Sequence, residues 1–368
     1  MKIKELFFFF FVVTYFSSYS QILEGNIFDK LSEKPIEFAT VYLDGTTIST
    51  ITDKDGYFKI NASGNNQSTL VVSFVGYVSL KIENPFQYKK IKSYLEEDSI
   101  TMDEVFIGKS IFTRKSMLKV FREQFLGKSK AGLSCKIENE DDIDLFFDEQ
   151  TNTLSASSRV PLRVKNSYLG YEVFFDLVDF TLNYSQPKLD SFYLRRSAFS
   201  GTSFFKDISK RNKSDKKRKE SFLGSTPHLM MTIANESWQK EKFALFVDKF
   251  QADPKLYFKV QDTLGIKLVT LIKEPETTVP IYKPVADVDY TKPMKLEIMG
   301  YEEKKVNFNI LYDGNKQSRA DFLNKEFIVD ENGNYSPVYV VMFGGYLGSQ
   351  KLGDMLPSDY YQTIKGKL

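Results

Sequence analysis

Three side-chain groups in this sequence could do chemistry: a short acidic stretch at 53–56, the single Cys135 and the single His228. Asp53 and Asp55, followed by Gly56, resemble the opening of a calcium loop. Such a loop of the helix–loop–helix type takes acidic ligands at positions 1, 3 and 5, glycine at 6 and a bidentate Glu at 12. Counting from Asp53, the glycine comes two residues early and position 12 is Gly64, which carries no oxygen on its side chain. The alternative is a turn between strands, with Asp53 bonding nearby backbone N–H groups. Tyr57 and Phe58 then restart a strand with one ring on each face, and this scaffold reading is the one the residues favour.

One imidazole and one thiol restrict the rest. A zinc peptidase needs two His and a Glu on the metal. A thiol enzyme needs a partnered imidazole. Cys135 lies in a strand-like run and reads as a small apolar residue. His228 falls in the first turn of a helix, with no His or Cys beside it in sequence. The acidic residues Glu138, Glu140, Asp141, Asp142 and Asp144 could hold a hard cation, but they read more simply as a solvated turn. No phosphate loop, nucleophile elbow or dinucleotide fingerprint is present. The expected sets of catalytic, cofactor-binding and metal-binding residues are therefore empty.

The elements that would position such groups are mostly strands. Aromatic residues make up 15% of the chain, which favours strands over helices. The formal net charge of +2 gives no global field toward nucleic acid. Residues 1–20 combine Lys2 and Lys4, an apolar run from Leu6 to Phe16, and small residues at Ser18 and Ser20. That pattern predicts a cleaved secretory signal, hence a protein exported to the periplasm or outer membrane, or secreted. From Gln21 to about residue 100, short alternating runs are broken by turn signals, as in a sandwich or barrel. Asp44-Gly45 and Asp55-Gly56 predict tight hairpins.

The series Gly25, Pro35, Ala39, Val41, Gly45-Thr46, Thr52-Asp53, Gly56, Phe58, Ser73 and Gly76-Tyr77 resembles the carboxypeptidase regulatory-like domain family over residues 21–105. One departure is Ser49, where a glycine often stands. The resemblance implies a seven-stranded prealbumin-like β-sandwich that serves folding, interaction or carbohydrate binding, and it carries no peptidase activity. Metallocarboxypeptidase activity is not expected, because the metal-ligand set is missing.

Beyond it, 106–127 predicts a helical linker, with Thr113 as cap, Met117, Leu118, Phe121 and Phe125 on one face and Gly127 as stop. Residues 128–368 predict a larger, mostly antiparallel β domain with two helices, the second capped by Thr226 with Pro227 at its first position. Asp313-Gly314 and Asn332-Gly333 predict hairpin tips, and the closing "LGDMLPSDY" an edge segment or tail. The segment "FLGSTPH" faintly resembles one in extracytoplasmic proteins that place an uncharacterised domain after this sandwich, though Pro227 stands where those carry Arg. The fold class is thus mainly β, or α+β.

The basic run at 210–220 lacks the interleaved aromatics that stack on bases. It reads as a solvated loop, with peripheral contact to an anionic membrane surface through Lys216, Lys217, Arg218 and Lys219 as the alternative. The functional expectation is a non-catalytic module of the bacterial cell envelope, without cofactor, that binds an envelope protein or a glycan. An anchoring stub on the outer membrane is a variant of it. The contrasting expectation is a glycan-directed hydrolase working through two carboxylates in residues 110–368.

Overall fold

The computed structural model describes residues 22–62, 65, 68–98, 110–210, 213–263, 266–284 and 296–365. The leader expected over residues 1–20 lies outside them. The chain divides into two compact units: residues 1–109 together with 202–205, and residues 110–201 together with 206–368.

The first unit is a β-sandwich of seven strands, as expected. One sheet has the order β4 (Tyr57–Asn61), β1 (Ile22–Asp29), β7 (Ile91–Leu95), with β1 and β7 parallel. The other has the order β3 (Ser49–Ile51), β2 (Thr40–Leu43), β5 (Leu70–Ser73), β6 (Leu80–Ile82). Strand β1 alternates buried and open positions along its length, as a strand with one face on a core must. Ile27, Val41, Leu43, Phe58, Leu70, Val72 and Leu95 fill the space between the sheets. At Gly25 an added Cβ would come within 2.8 Å of the Ile91 Cβ and closer still to its carbonyl. Glycine is therefore required for β1 to lie against β7.

The two D-G turns differ. Asp44-Gly45 closes a true hairpin, since β2 and β3 pair antiparallel. Asp55-Gly56 does not. It joins β3 in one sheet to β4 in the other, so it is a corner between sheets and not a hairpin. Turn chemistry specifies a chain reversal but not the strand that the next segment will pair with.

Among the described residues the second unit carries six α-helices, where the sequence pointed to one before Gly127 and one from Thr226. The two expected ones are present: α1 (Arg114–Phe125) and α4 (Thr226–Ala234). Thr113 caps α1 by accepting from the Ser116 N–H, and Gly127 follows at φ 91°. Helix α4 is capped by Ser225, one residue earlier than expected. The other four are α2 (Lys130–Leu133), α3 (Asp215–Phe222), α5 (Gly345–Ser349) and α6 (Tyr360–Ile364).

Helix α1 is packed into this unit. Its Phe121 and Phe125 are fully buried, with Phe121 4.6 Å from Phe180 and Phe125 5.1 Å from Phe175. Both partners lie on β12 (Tyr171–Tyr184), the central strand of an antiparallel sheet in the order β8 (Cys135–Ile137), β11 (Leu162–Asn166), β12, β10 (Thr153–Ser158), β9 (Ile143–Asp148). Strand β13 (Leu194–Asp207) also pairs with β12.

Two further sheets enclose α4. One runs β15 (Phe250–Ala252), β14 (Phe243–Val247), β20 (Phe308–Tyr312), β21 (Lys316–Phe322), β24 (Val341–Gly344). The other runs β16 (Phe258–Thr263), β17 (Ile266–Leu271), β22 (Glu326–Val329), β23 (Tyr335–Ser336). A hairpin of β18 (Glu276–Pro284) and β19 (Leu296–Lys305) pairs on its own. Every residue of α4 from His228 to Ala234 is buried. Leu229, Met230 and Ile233 share one core with Phe258, Val269, Phe308, Phe322 and Phe327. The hairpin tips at Asp313-Gly314 and Asn332-Gly333 form as expected, between paired strands.

The closing segment is neither edge strand nor tail. Leu352 and Tyr360 are buried, and Tyr360 packs 5.8 Å from Phe222. No helix among the described residues is long and apolar enough to cross a membrane.

Candidate functional site

The candidate chemical residues that lie among the described ones each have a definite place. Asp53 Oδ1 accepts from the backbone N–H groups of Asp55 and Tyr57, both at 2.9 Å. This is the turn-residue role expected of it. Thr52 completes the corner: its buried hydroxyl donates to Ile36 O at 2.7 Å and accepts from Ala39 N–H at 2.8 Å. Tyr57 and Phe58 do part to opposite faces. Phe58 enters the core, while the Tyr57 hydroxyl donates to Glu24 at 2.8 Å.

The acidic residues of 138–144 disperse along a turn. Glu140 is held by both branches of the Arg122 guanidinium. Glu138 pairs with Lys136 at 3.1 Å. Asp142 accepts from the Asn139 amide at 2.9 Å. Cys135 is half-buried, its thiol 3.3 Å from Ala131 O. Burial first, and the Asp354 carboxylate second, push that thiol up to about 12, which keeps it protonated at neutral pH.

His228 is buried at 4% exposure. Gly224 N–H donates to its Nδ1 at 2.9 Å, so the proton sits on Nε2, which faces Glu241 Oε2 at 3.2 Å. The rings of Phe243, Phe222 and Tyr312 surround it at 5.1, 5.4 and 5.7 Å. Desolvation lowers its pKa, and the Glu241 carboxylate only partly offsets this. A carboxylate beside the imidazole was not visible in the sequence, because Glu241 lies beyond the end of α4. The dyad faces ring carbons, so it reads as a core histidine with both nitrogens occupied.

The basic run requires a correction. It is not a loop: Asp215–Phe222 is helix α3. Arg218 is not at the surface but buried at 6%. Its guanidinium donates to Leu169 O at 2.7 Å, to Gly170 O at 2.9 Å and to both oxygens of Asp207 at 2.7 and 2.9 Å. It also lies 3.8 Å from the centre of the Tyr171 ring. The Arg218 hydrogen bonds hold the Asp207 carboxyl down at about 2. A planar cation with five donors suits a buried cluster of carbonyls. Lys216 is exposed, and Lys217 lies 4.5 Å over the Tyr168 ring.

A cleft of about 250 Å³ lies at the end of α4. Two short segments build it. From 233–239 come Ile233, Glu236, Trp238 and Gln239; from 253–260 come Asp253, Pro254, Lys255, Phe258 and Val260. Trp238 stacks on Phe258 at 6.1 Å and 24° between planes, giving the cleft an aromatic floor. Glu236, Gln239, Asp253 and Lys255 are exposed and form a polar rim. Asp253 also caps the short turn Pro254–Leu256 by accepting from Lys255 N–H at 3.0 Å. Glu236 sits just past α4 at φ 49°, in the left-handed region where a helix stop normally uses glycine. Ser237 N–H donates to Thr232 O at 3.0 Å and Glu236 N–H to Ile233 O at 3.1 Å, so the angle belongs to the turn that ends the helix.

Residues 23–107 match the family model of the CarboxypepD_reg-like domain, so the first unit carries that domain. No curated protein matches the chain.

Proposed function

We propose that this protein is a non-catalytic, exported component of the bacterial cell envelope type, in which the CarboxypepD_reg-like domain is scaffold and the second unit binds a ligand at the Trp238 cleft. One observation carries the reading. The side chains best suited to covalent or acid–base work are already committed: His228 to Gly224 and Glu241, Cys135 to a thiol pushed up to about 12. What faces the Trp238 cleft is an aromatic floor with a polar rim, the usual make-up of a binding pocket. The export of the protein rests on the pattern of residues 1–20.

The second reading has its own observation, since Glu236 and Asp253 flank the same cleft. A pair of carboxylates is the minimum equipment of a glycosidase. Asp253 is partly engaged by its own turn, which favours a structural role for it. Incubating the purified protein with envelope glycans and peptides decides between the two. No release of reducing ends or new amino termini is expected. Turnover that disappears in Glu236→Gln and Asp253→Asn would establish the hydrolase instead.

A further inference from the structure

We propose that the Trp238 cleft is a subsite for one saccharide ring of a glycan. The inference rests on the binding reading above and names its ligand class. A pyranose presents an apolar C–H face and a rim of hydroxyls. The cleft presents the complement: Ile233, Trp238, Phe258 and Val260 below, Glu236, Gln239, Asp253 and Lys255 around the mouth. An acyl chain would fill the floor but strip water from two carboxylates and an ammonium without replacing their hydrogen bonds, which is costly. A small anion would meet the two carboxylates.

Size supports the choice. A volume of about 250 Å³ admits one such ring, with the rest of a glycan free to extend into solvent.

Glu236 takes φ 49° as the left-handed residue of the turn that ends α4, and its carboxylate has no hydrogen-bond or ion-pair partner among the described residues. Glycine would relax the same turn. The conformation places an acceptor at the mouth of the cleft, where a sugar diol would take it up.

The sequence contains one tryptophan, so indole emission reports this cleft alone. Titration with the methyl glycosides of glucose, galactose and mannose, and with N-acetylglucosamine, tests the proposal in the purified protein. At least one should give a saturable change in emission with a millimolar dissociation constant, as expected for so small a ligand. Glu236→Gly, which removes the carboxylate while easing the backbone, should weaken it at least about tenfold, and Gln239→Ala should weaken it as well. Saturation-transfer NMR on the same sugars covers binding that leaves the indole unchanged. Silence in both measurements overturns the saccharide assignment. So does saturation by an octyl-chain detergent with no response to sugars, an outcome that leaves the binding reading intact. Release of reducing ends would instead remove the binding reading itself.

Discussion

The two compact units spend their polar side chains differently. In the CarboxypepD_reg-like domain, Asp53, Thr52 and Thr46 all bond backbone groups within a few residues or across one corner. They define turns and leave little to offer a ligand. In the second unit, some polar groups are sealed inside, as Arg218 and His228 are. Others, at Glu236 and Gln239, stand at the mouth of a cleft. The difference separates a part whose polar groups define its turns from a part whose polar groups divide between the core and the mouth of a cleft.

The largest expected effect bears on the second unit. Phe121 is fully buried against Phe125 and Phe180, so Phe121→Ala should cost about 3–5 kcal/mol, read as a fall in the urea midpoint. Next comes the corner of the first unit. Gly56 has φ 67°, and a Cβ there would press on the Ile27 carbonyl. Gly56→Ala should cost roughly 2–3 kcal/mol from the left-handed backbone and overpacking together. A neutral result would mean that the turns do not specify this domain.

Within the basic run the comparison sharpens. Arg218→Met leaves the Leu169 and Gly170 carbonyls without their donor and should cost about 2 kcal/mol. Lys216→Ala should change stability by less than about 0.5 kcal/mol. Equal effects would contradict the division of that run into a buried cation and a solvated face. Glu236→Gly acts in the opposite direction: stability should rise by about 1 kcal/mol as the strain is released, while ligand binding falls.

The smallest effect is a pH dependence. The folded state lowers the pKa of His228 from its ordinary 6.5, so below that value the unfolded chain binds the proton more readily. The stabilisation from the neutral ring is therefore complete above about pH 6.5 and is lost progressively as the pH falls toward the folded-state value. Unfolding followed from pH 8 to 5 in the protein and in His228→Gln checks this, with the difference expected to vanish in the variant.

How much of this was legible in the sequence follows the same division. The seven strands of the first unit are signalled by alternation and by glycines at forced positions, and Thr113 and Gly127 mark both ends of α1. The corner at Asp55-Gly56 misled because a turn's residues encode its own geometry and not its neighbours in the sheet. Strand β18 was missed because Pro280 and Pro284 break a strand pattern, although a hairpin with open edges tolerates them. The burial of Arg218 was hidden inside a lysine-rich run. The cleft was the least visible feature: it joins two segments that no sequence motif marks.

The lone imidazole is a structural group, and a proton NMR titration shows this most directly. With one His in the sequence, a single ring resonance reports the site without assignment. The expected result is a midpoint below 6.5 and nitrogen shifts of the Nε2–H form, unchanged by glycan. A midpoint at or above 6.5, with Nδ1 free to take a proton and a shift on adding substrate, would contradict it.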